Sequence, residues 1–381
     1  MEHIYLDNAA TTRPFQEVID KMSDVMQNHW GNPSAPYTFG DDSRSIIEYV
    51  REQIAEDINC KPEEIIFTSG ACEANSLAID GFLKKYGTAC LTTSIEHASI
   101  NDAGIEGLYR FWDNDKYGFV KVGDISDCVQ NAGLRNHLVS IGAANGEIGT
   151  IQDIKTMSNK IHKMGGVFHT DATQLYPERR INIKNMDIDM MSVSAQKFNG
   201  PRGIGFLFVR EGIDIAPIIY GSQESSRRGG TYNTAAIAGM GVALKRTRAI
   251  QEKESFYKDN IIEKLRNKLL NKLLQIPGVK LNGADIGMNR LCNNINITID
   301  GVNAERLVTM CSLCGVYIGK GSACHSYSPK PSHVLKAIGL TDEQAFNTVR
   351  ITLGYYNTED EIDKVADIIT KLIERIRNEE T

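Results

Sequence analysis

The chain has 381 residues, of which 41% are hydrophobic and 24% are charged, and its formal net charge is -6. This composition is ordinary for a soluble globular protein, and the length suits two domains with a sizeable core. The acidic balance argues against a general nucleic-acid-binding protein, because that role needs a basic face to neutralise phosphates. The sequence contains no apolar stretch of bilayer-spanning length, and its N-terminus lacks the apolar region of a secretion signal. We therefore expect a cytoplasmic protein that acts without a membrane or direct nucleic-acid contact.

Eight cysteines without dense regular spacing suit a reducing compartment better than a disulfide framework. Most of them are expected to be buried and inert. Cys311 and Cys314 have the spacing of a metal or redox pair, but they lie in an apolar helical pattern and have no second pair. Core packing is the favoured interpretation, and we expect no metal site.

The first half of the chain predicts a phosphate-binding turn. Apolar residues recur at helical spacing from 42 to 58, which predicts an amphipathic packing helix. Residues 64–67 then predict a strand, and Thr68-Ser-Gly70 leads into a helix that begins near Ala71. A strand, a turn and a helix in this order point backbone N–H groups and the positive end of the helix dipole at one spot. That arrangement is typical of a cup for a phosphate group.

Two further predicted strands are each followed by polar residues. The strand at Cys90–Thr93 precedes His97, and an apolar strand from Leu138 to Ala143 precedes Ala144-Asn-Gly-Glu147. A single histidine is more often structural than catalytic, so His97 alone would carry little weight.

The stretch from Asp189 to Arg210 predicts two strands joined by a polar turn, because apolar runs are separated by glycine and proline. Lys197 lies in that turn, and Asp171 ends another predicted strand upstream. A lysine, a carboxylate and glycine-rich turns at the ends of successive strands are what a pyridoxal 5'-phosphate (PLP) site requires. The lysine forms a Schiff base, and the carboxylate keeps the pyridine nitrogen protonated. The sequence therefore predicts a PLP enzyme.

Four segments together resemble a known family, the cysteine desulfurases. They are Asp171-Ala-Thr-Gln174, the segment ending Ser194-Ala-Gln-Lys197, Gly203-Ile-Gly205 and Gly321-Ser-Ala-Cys324. Cysteine desulfurases are PLP enzymes of the class V aminotransferase group, and the resemblance extends over nearly the whole chain. It implies an α/β fold of the aspartate aminotransferase type, with a mainly parallel sheet flanked by helices and a smaller α+β C-terminal domain.

The resemblance also implies how the chain is divided. We expect residues 14–250 to form the large PLP-binding domain. Residues 1–13 and 251–381 would form the small domain, which carries a loop with a mobile cysteine at about 319–331. A homodimer is implied as well, in which Thr231 touches the PLP phosphate of the neighbouring subunit.

Site residues follow from the same resemblance. It assigns catalysis to Lys197, Cys324 and His97, and the substrate carboxylate to Asn32 and Arg350. In this assignment His97 stacks over the PLP ring and takes part in proton transfers. The implied cofactor-binding residues are Ala71, Cys72, His97, Asp171, Gln174, Ser194, Gln196, Lys197 and Thr231.

Three positions depart from the family pattern. Cys72 replaces a threonine, Gly146 aligns with an asparagine on the 3-hydroxyl side of PLP, and Gln196 replaces the histidine that usually precedes the lysine. A thiol is a poor hydrogen-bond donor, but one neutral hydrogen bond contributes only about 0.5 to 1.5 kcal/mol. We therefore expect PLP to bind, and these positions to affect its affinity or the reaction preference.

The implied reaction converts L-cysteine to L-alanine. The Cys324 thiolate, favoured by nearby positive residues, attacks the substrate sulfur and keeps it as a persulfide for a protein acceptor. Such an acceptor could be an iron–sulfur scaffold or a tRNA-thiolation protein. Two alternatives stay open: a related PLP-dependent cysteine or cystine carbon–sulfur lyase or selenocysteine lyase, and a sulfur-relay or scaffold subunit with weakened PLP chemistry.

Overall fold

The computed structural model describes residues 3–103, 108–111, 114–121, 137–253, 260–321 and 330–380. In chain order its strands are β1 (Ile4–Tyr5), β2 (Ile65–Thr68), β3 (Cys90–Thr93), β4 (Leu108–Phe111), β5 (Leu138–Ser140), β6 (Val167–Asp171), β7 (Met190–Ser194), β8 (Gly205–Val209), β9 (Val279–Leu281), β10 (Asn294–Ile299), β11 (Val316–Tyr317), β12 (Gly319–Lys320) and β13 (Thr348–Thr352). The α-helices are α1 (Gln16–Asn28), α2 (Thr38–Ile58), α3 (Ala71–Tyr86), α4 (Ala98–Asn101), α5 (Ile154–Lys163), α6 (Ile183–Met186), α7 (Thr234–Lys253), α8 (Ile261–Leu273), α9 (Ala304–Leu313), α10 (His333–Ala337), α11 (Asp342–Phe346) and α12 (Glu359–Glu380).

The large sheet has seven strands in the order β2-β8-β7-β6-β5-β3-β4. Strand β8 is antiparallel to both of its neighbours, whereas the pairs from β7 to β4 are parallel. Most residues of these strands are buried on both faces, which is why their sequences are nearly continuous apolar runs. This is the mainly parallel α/β sheet that the sequence predicts.

Side chains alternate between two hydrophobic clusters, one on each face of this sheet. Ile65 and Phe67 pack into the cluster that includes residues of α2 and α7, whereas Ile66 packs into the cluster that includes α3. The alternation has a period of two, because successive side chains of a strand point to opposite faces. The sheet is thus covered by helices on both sides.

A second sheet, in the order β12-β13-β10-β9, is antiparallel throughout. The hydrophobic cluster that packs on this sheet contains residues of α8, α9 and α12 together with Ile4 and Leu6 from the start of the chain. The N-terminal arm therefore packs with the C-terminal part of the chain. The domain boundaries given above stay a prediction.

Most predicted elements are confirmed at or near their predicted bounds, including β2, β3, β7 and the helix that begins at Ala71. Helix α7 was not predicted. Its first half, from Thr234 to Leu244, is alanine- and glycine-rich and mostly buried, so that half lacks the polar face that marks a surface helix in a sequence. In the part of the chain that the structure describes, no helix is both long and apolar enough to cross a membrane.

A buried ion pair ties the segment after β8 to the large sheet. Arg51 of α2 donates from Nη1 to Glu224 Oε2 at 2.8 Å, and both side chains are at least nine-tenths buried. The other oxygen, Oε1, accepts from the Phe67 amide of β2 at 3.2 Å. Removing one member of such a pair leaves the other charge buried without compensation.

We therefore expect Arg51→Met to lower the free energy of unfolding by about 3 to 5 kcal/mol, measured by urea denaturation. Lys61→Met is the matched control, because it breaks the exposed Lys61–Glu211 pair and should cost less than about 1 kcal/mol. Equal losses in the two variants would contradict the structural role assigned to the buried pair.

Candidate active site

A cavity of about 360 Å³ lies where the strands of the large sheet end. The segments that follow β2, β3, β5, β6 and β7 all contribute to its lining, because the carboxyl ends of parallel strands meet at one edge. The N-terminal arm closes the cavity with Ala9 and Ala10, and β13 contributes Arg350. Residues far apart in the sequence are thereby brought to one place.

Most of the predicted site residues line this cavity. They are Ala71, Cys72, His97, Asp171, Gln174, Ser194, Gln196, Lys197 and Arg350. Asn32 and Thr231 are exposed and do not line it within this chain; Asn32 Oδ1 instead accepts from the Ser34 amide at 3.0 Å. Cys324 lies outside the described residues. The structure brings nine of the twelve residues together, and the roles given to all of them stay predictions.

Lys197 ends a short 3-10 turn after β7 and is held by the N-terminal arm. Its Nζ donates to the carbonyl oxygens of Ala9 at 2.6 Å and Ala10 at 2.7 Å. Thr12 fixes the same turn, since its amide and its hydroxyl both donate to the Gln196 carbonyl at 2.9 Å. The arm therefore sets the position from which the ammonium group reaches the cavity.

Asp171 is the last residue of β6, and both of its carboxylate oxygens accept hydrogen bonds. Oδ1 accepts from the Thr173 amide at 2.9 Å, and Oδ2 accepts from Asn75 Nδ2 at 2.8 Å. Two donors on two different oxygens fix the plane of the carboxylate. An oriented carboxylate in this cavity suits a protonated ring nitrogen.

The start of helix α3 forms a cradle beside the lysine. Gly70 has φ +148°, a conformation that residues with a Cβ rarely adopt, and a Cβ on Gly205 would lie 2.8 Å from the Gly70 Cα. Two glycines therefore let the β8 backbone approach the turn. The first residues of this 16-residue helix line the cavity, and a helix N-terminus favours an anion. With Lys197 and Asp171, this cradle fits PLP.

An acidic residue also lies at this helix start, but it is already paired. Glu73 accepts from Arg228 Nε at 2.7 Å and from the Ser69 amide at 2.7 Å. Burial alone would raise the pKa of Glu73, yet these hydrogen bonds lower it below its usual value. The pairing with Arg228 reduces the repulsion that a phosphate would otherwise meet there.

Arg350 is buried, with 5% of its side chain exposed, and it is only partly satisfied. Nη2 donates to Asp7 Oδ1 at 2.7 Å and Nη1 donates to the Gly146 carbonyl at 3.3 Å. Among the described residues, Nε has no hydrogen-bond partner. A guanidinium with an unmet buried donor suits a carboxylate ligand, which it can bind with two parallel bonds.

The glycine at 146 leaves space that another side chain fills. A Cβ at Gly146 would lie 2.7 Å from Gln174 Nε2, so Gln174 occupies the room beside it. Gln174 Nε2 also donates to the Ala9 carbonyl at 3.1 Å. The space beside Gly146 is therefore filled, because the Gln174 side chain packs against the glycine backbone.

Two buried carboxyl groups at the cavity were not singled out from the sequence. Burial raises the pKa of Glu96 to about 7, against hydrogen bonds from Thr93 and Gly142 that lower it. Burial also raises the pKa of Glu147 to about 7, although Ser332 donates to its Oε2 at 2.9 Å. Their sequence signal was weak: each only adjoins a residue that had been noted, His97 or Gly146.

Among the described residues, no cluster of histidine, cysteine or carboxylate side chains could hold a metal ion.

Comparison with known proteins decides the family. The class V aminotransferase family matches residues 4–365. Cysteine desulfurase IscS of Methanosarcina thermophila is 36% identical over 98% of this chain and 93% of its own length. The chain belongs to the class V aminotransferases, among the cysteine desulfurases.

Solved structures agree with this assignment. A NifS-like protein superposes with a TM-score of 0.89 and 28% identity, covering 98% of this chain and all of its own. SspA in complex with cysteine superposes with a TM-score of 0.79 and 32% identity, covering 93% of this chain and all of its own. The fold expectation is confirmed, and the family is one of PLP-dependent enzymes.

The raised pKa of the buried Glu147 predicts how the stability of the protein depends on pH. Its pKa is raised from 4.5 to about 7, so above pH 4.5 the unfolded chain releases a proton that the folded protein still holds. Glu147 therefore lowers the free energy of unfolding by an amount that grows as the pH rises from 4.5 to 7 and reaches about 3 kcal/mol. We expect the free energy of unfolding of Glu147→Gln, minus that of the unsubstituted protein, to rise by this amount between pH 4.5 and 7. Urea denaturation at several pH values measures both.

Glu73→Gln is the control for this experiment. Its lowered pKa places its effect below 4.5, so its stability difference from the unsubstituted protein should stay flat from pH 5 to pH 7. Parallel curves for Glu147→Gln and the unsubstituted protein would show that Glu147 does not titrate as described.

Proposed function

We propose that this protein is a PLP-dependent cysteine desulfurase whose active site is the cavity at the carboxyl edge of the large sheet. The observation that carries the proposal is the convergence of Lys197, Asp171, the α3 N-terminus and Arg350 on one cavity. Each of these groups meets one requirement of an amino-acid substrate bound to PLP. The proposed substrate is L-cysteine, which is also bound in the SspA structure.

PLP, when bound, supplies an electron sink that stabilises negative charge on the substrate carbon next to the amino group. The chain supplies the rest. Asp171 holds a proton at the ring nitrogen, and the first amides of α3 bind the phosphate. Lys197 would hold the cofactor covalently, and its amine would move protons at the substrate carbon.

Arg350 orients the substrate through its carboxylate. Its present partner, Asp7, occupies only Nη2, and Nε is unmet among the described residues. A substrate carboxylate would bind this guanidinium from the cavity, which Arg350 lines. Asp7 keeps the buried guanidinium compensated when no substrate is bound.

The sulfur step is assigned to Cys324 on the strength of the Gly321-Ser-Ala-Cys324 motif. Its thiolate attacks the sulfur of the bound cysteine, a sulfur–sulfur bond forms, and the carbon–sulfur bond breaks. Cys324 keeps the sulfur as a persulfide, and the rest of the substrate leaves as L-alanine after protonation. A protein acceptor in the cytoplasm, such as an iron–sulfur scaffold or a tRNA-thiolation protein, would take this sulfur.

A homodimer is part of the proposal. Thr231 is exposed on the same segment as Arg228, which reaches the phosphate cradle through Glu73. Trp30 and Phe39 flank Asn32 and expose 70% and 49% of their surface. Exposed aromatic side chains in one segment are typical of an interaction surface. A second subunit would cover them and bring its own Thr231 and Asn32 towards this cavity.

The role of Cys324 is tested by Cys324→Ala. We expect L-alanine formation from L-cysteine to fall to background while PLP absorbance is retained, because only the sulfur acceptor is lost. Cys314→Ala is the control, since Cys314 is exposed but has no assigned role, and it should keep full activity. Undiminished alanine formation by Cys324→Ala would refute the persulfide step.

A further inference from the structure

Four side chains form a hydrogen-bonded chain beneath the cavity: His97, Ser99, Asn75 and Asp171. His97 Nδ1 lies 2.8 Å from Ser99 Oγ, which lies 2.9 Å from Asn75 Nδ2. Asn75 Nδ2 lies 2.8 Å from Asp171 Oδ2. The network joins the residue assigned to stack over the PLP ring to the residue assigned to its nitrogen.

The carboxylate fixes which way the amide of Asn75 points. Asp171 can only accept, so the Asn75 atom that faces it must be the NH2 group. Asn75 is fully buried on α3, and its two amide hydrogens are used by Asp171 and by Ser99. Ser99 Oγ therefore accepts a hydrogen bond from Asn75.

The remaining proton of the Ser99 hydroxyl then has a defined acceptor. A hydroxyl oxygen can accept two hydrogen bonds, so a second contact of His97 Nδ1 decides the direction of the bond between Ser99 Oγ and this nitrogen. The Ser99 amide donates to the same nitrogen at 3.2 Å, since His97 caps the N-terminus of α4. A backbone amide can only donate, so Nδ1 is the acceptor in neutral His97, and the Ser99 hydroxyl also donates to it at 2.8 Å. The proton of neutral His97 therefore lies on Nε2, and the shorter hydroxyl bond supplies the larger share of this preference.

We propose that Asn75 and Ser99 are positioning residues that hold Asp171 and His97 in one fixed arrangement and keep the proton of neutral His97 on Nε2. The inference rests on the proposed PLP site. It also limits what His97 does there. Nδ1 is occupied by donors and Nε2 is protonated, so the neutral ring presents an N–H donor at Nε2.

The test is the position of the His97 proton in the PLP-loaded protein, measured by NMR of histidine labelled with 15N in the ring. The His97 signals are identified by their loss in His97→Gln. We expect Nδ1 to resonate as an unprotonated nitrogen and Nε2 as a protonated one. In Ser99→Ala only the longer amide bond remains, so both signals should move towards a mixture of tautomers.

Two variants serve as controls. Ser99→Thr keeps the hydroxyl and should show the same His97 signals as the unsubstituted protein. Ser76→Ala, on α3 beside Asn75, should also leave these signals unchanged. In addition, Asn75→Ala should weaken PLP binding about 10-fold, because it removes a hydrogen bond to a charged group. The Ser99 variants decide the question even where Asn75→Ala does not fold.

The outcomes separate this inference from the proposed function. A protonated Nδ1 in a protein that binds PLP and forms alanine would overturn the inference alone, as would His97 signals that Ser99→Ala leaves unchanged. A protein that neither binds PLP nor forms alanine would overturn the proposed function, whatever the tautomer of His97.

Discussion

The parallel strands of the large sheet all end at one edge, and the site depends on this constraint. Strands β3, β5, β6 and β7 run side by side in the same direction. The turns that follow them must therefore meet, although more than 90 residues separate the first turn from the last. A lysine, a carboxylate and a histidine that are unrelated in sequence become neighbours for this reason alone.

The N-terminal arm contacts two of the cationic side chains that line the cavity. Its carbonyl groups at Ala9 and Ala10 accept from Lys197, and its Asp7 pairs with Arg350. One short segment thus contacts both the group assigned to the cofactor and the group assigned to the substrate. The cationic side chains are compensated in the cavity before any ligand binds, which limits the cost of burying them.

The strands and the phosphate turn could be predicted from the sequence, because their signals are local. Apolar runs of strand length, glycines at the turns and the position of Lys197 after a strand all lie within a few residues of each other. The first half of helix α7 lacked such a signal, since it is buried on most sides and shows no polar face.

The contacts that orient the site could not be predicted, because they join distant residues. Nothing near Asn75 in the sequence points to Asp171, and nothing near Asp7 points to Arg350. The filling of the Gly146 space by Gln174 likewise depends on how two strand ends face each other. Such packing is set by the whole fold, so the effect of a missing side chain could be judged only from the structure.

The most direct test of the account is the product balance with L-cysteine. The PLP-loaded protein is incubated with L-cysteine and a reductant, and alanine, pyruvate and sulfide are quantified together. The account predicts alanine in equal amount to sulfide, with no pyruvate. Pyruvate in equal amount to sulfide would contradict it, since the enzyme would then be a carbon–sulfur lyase.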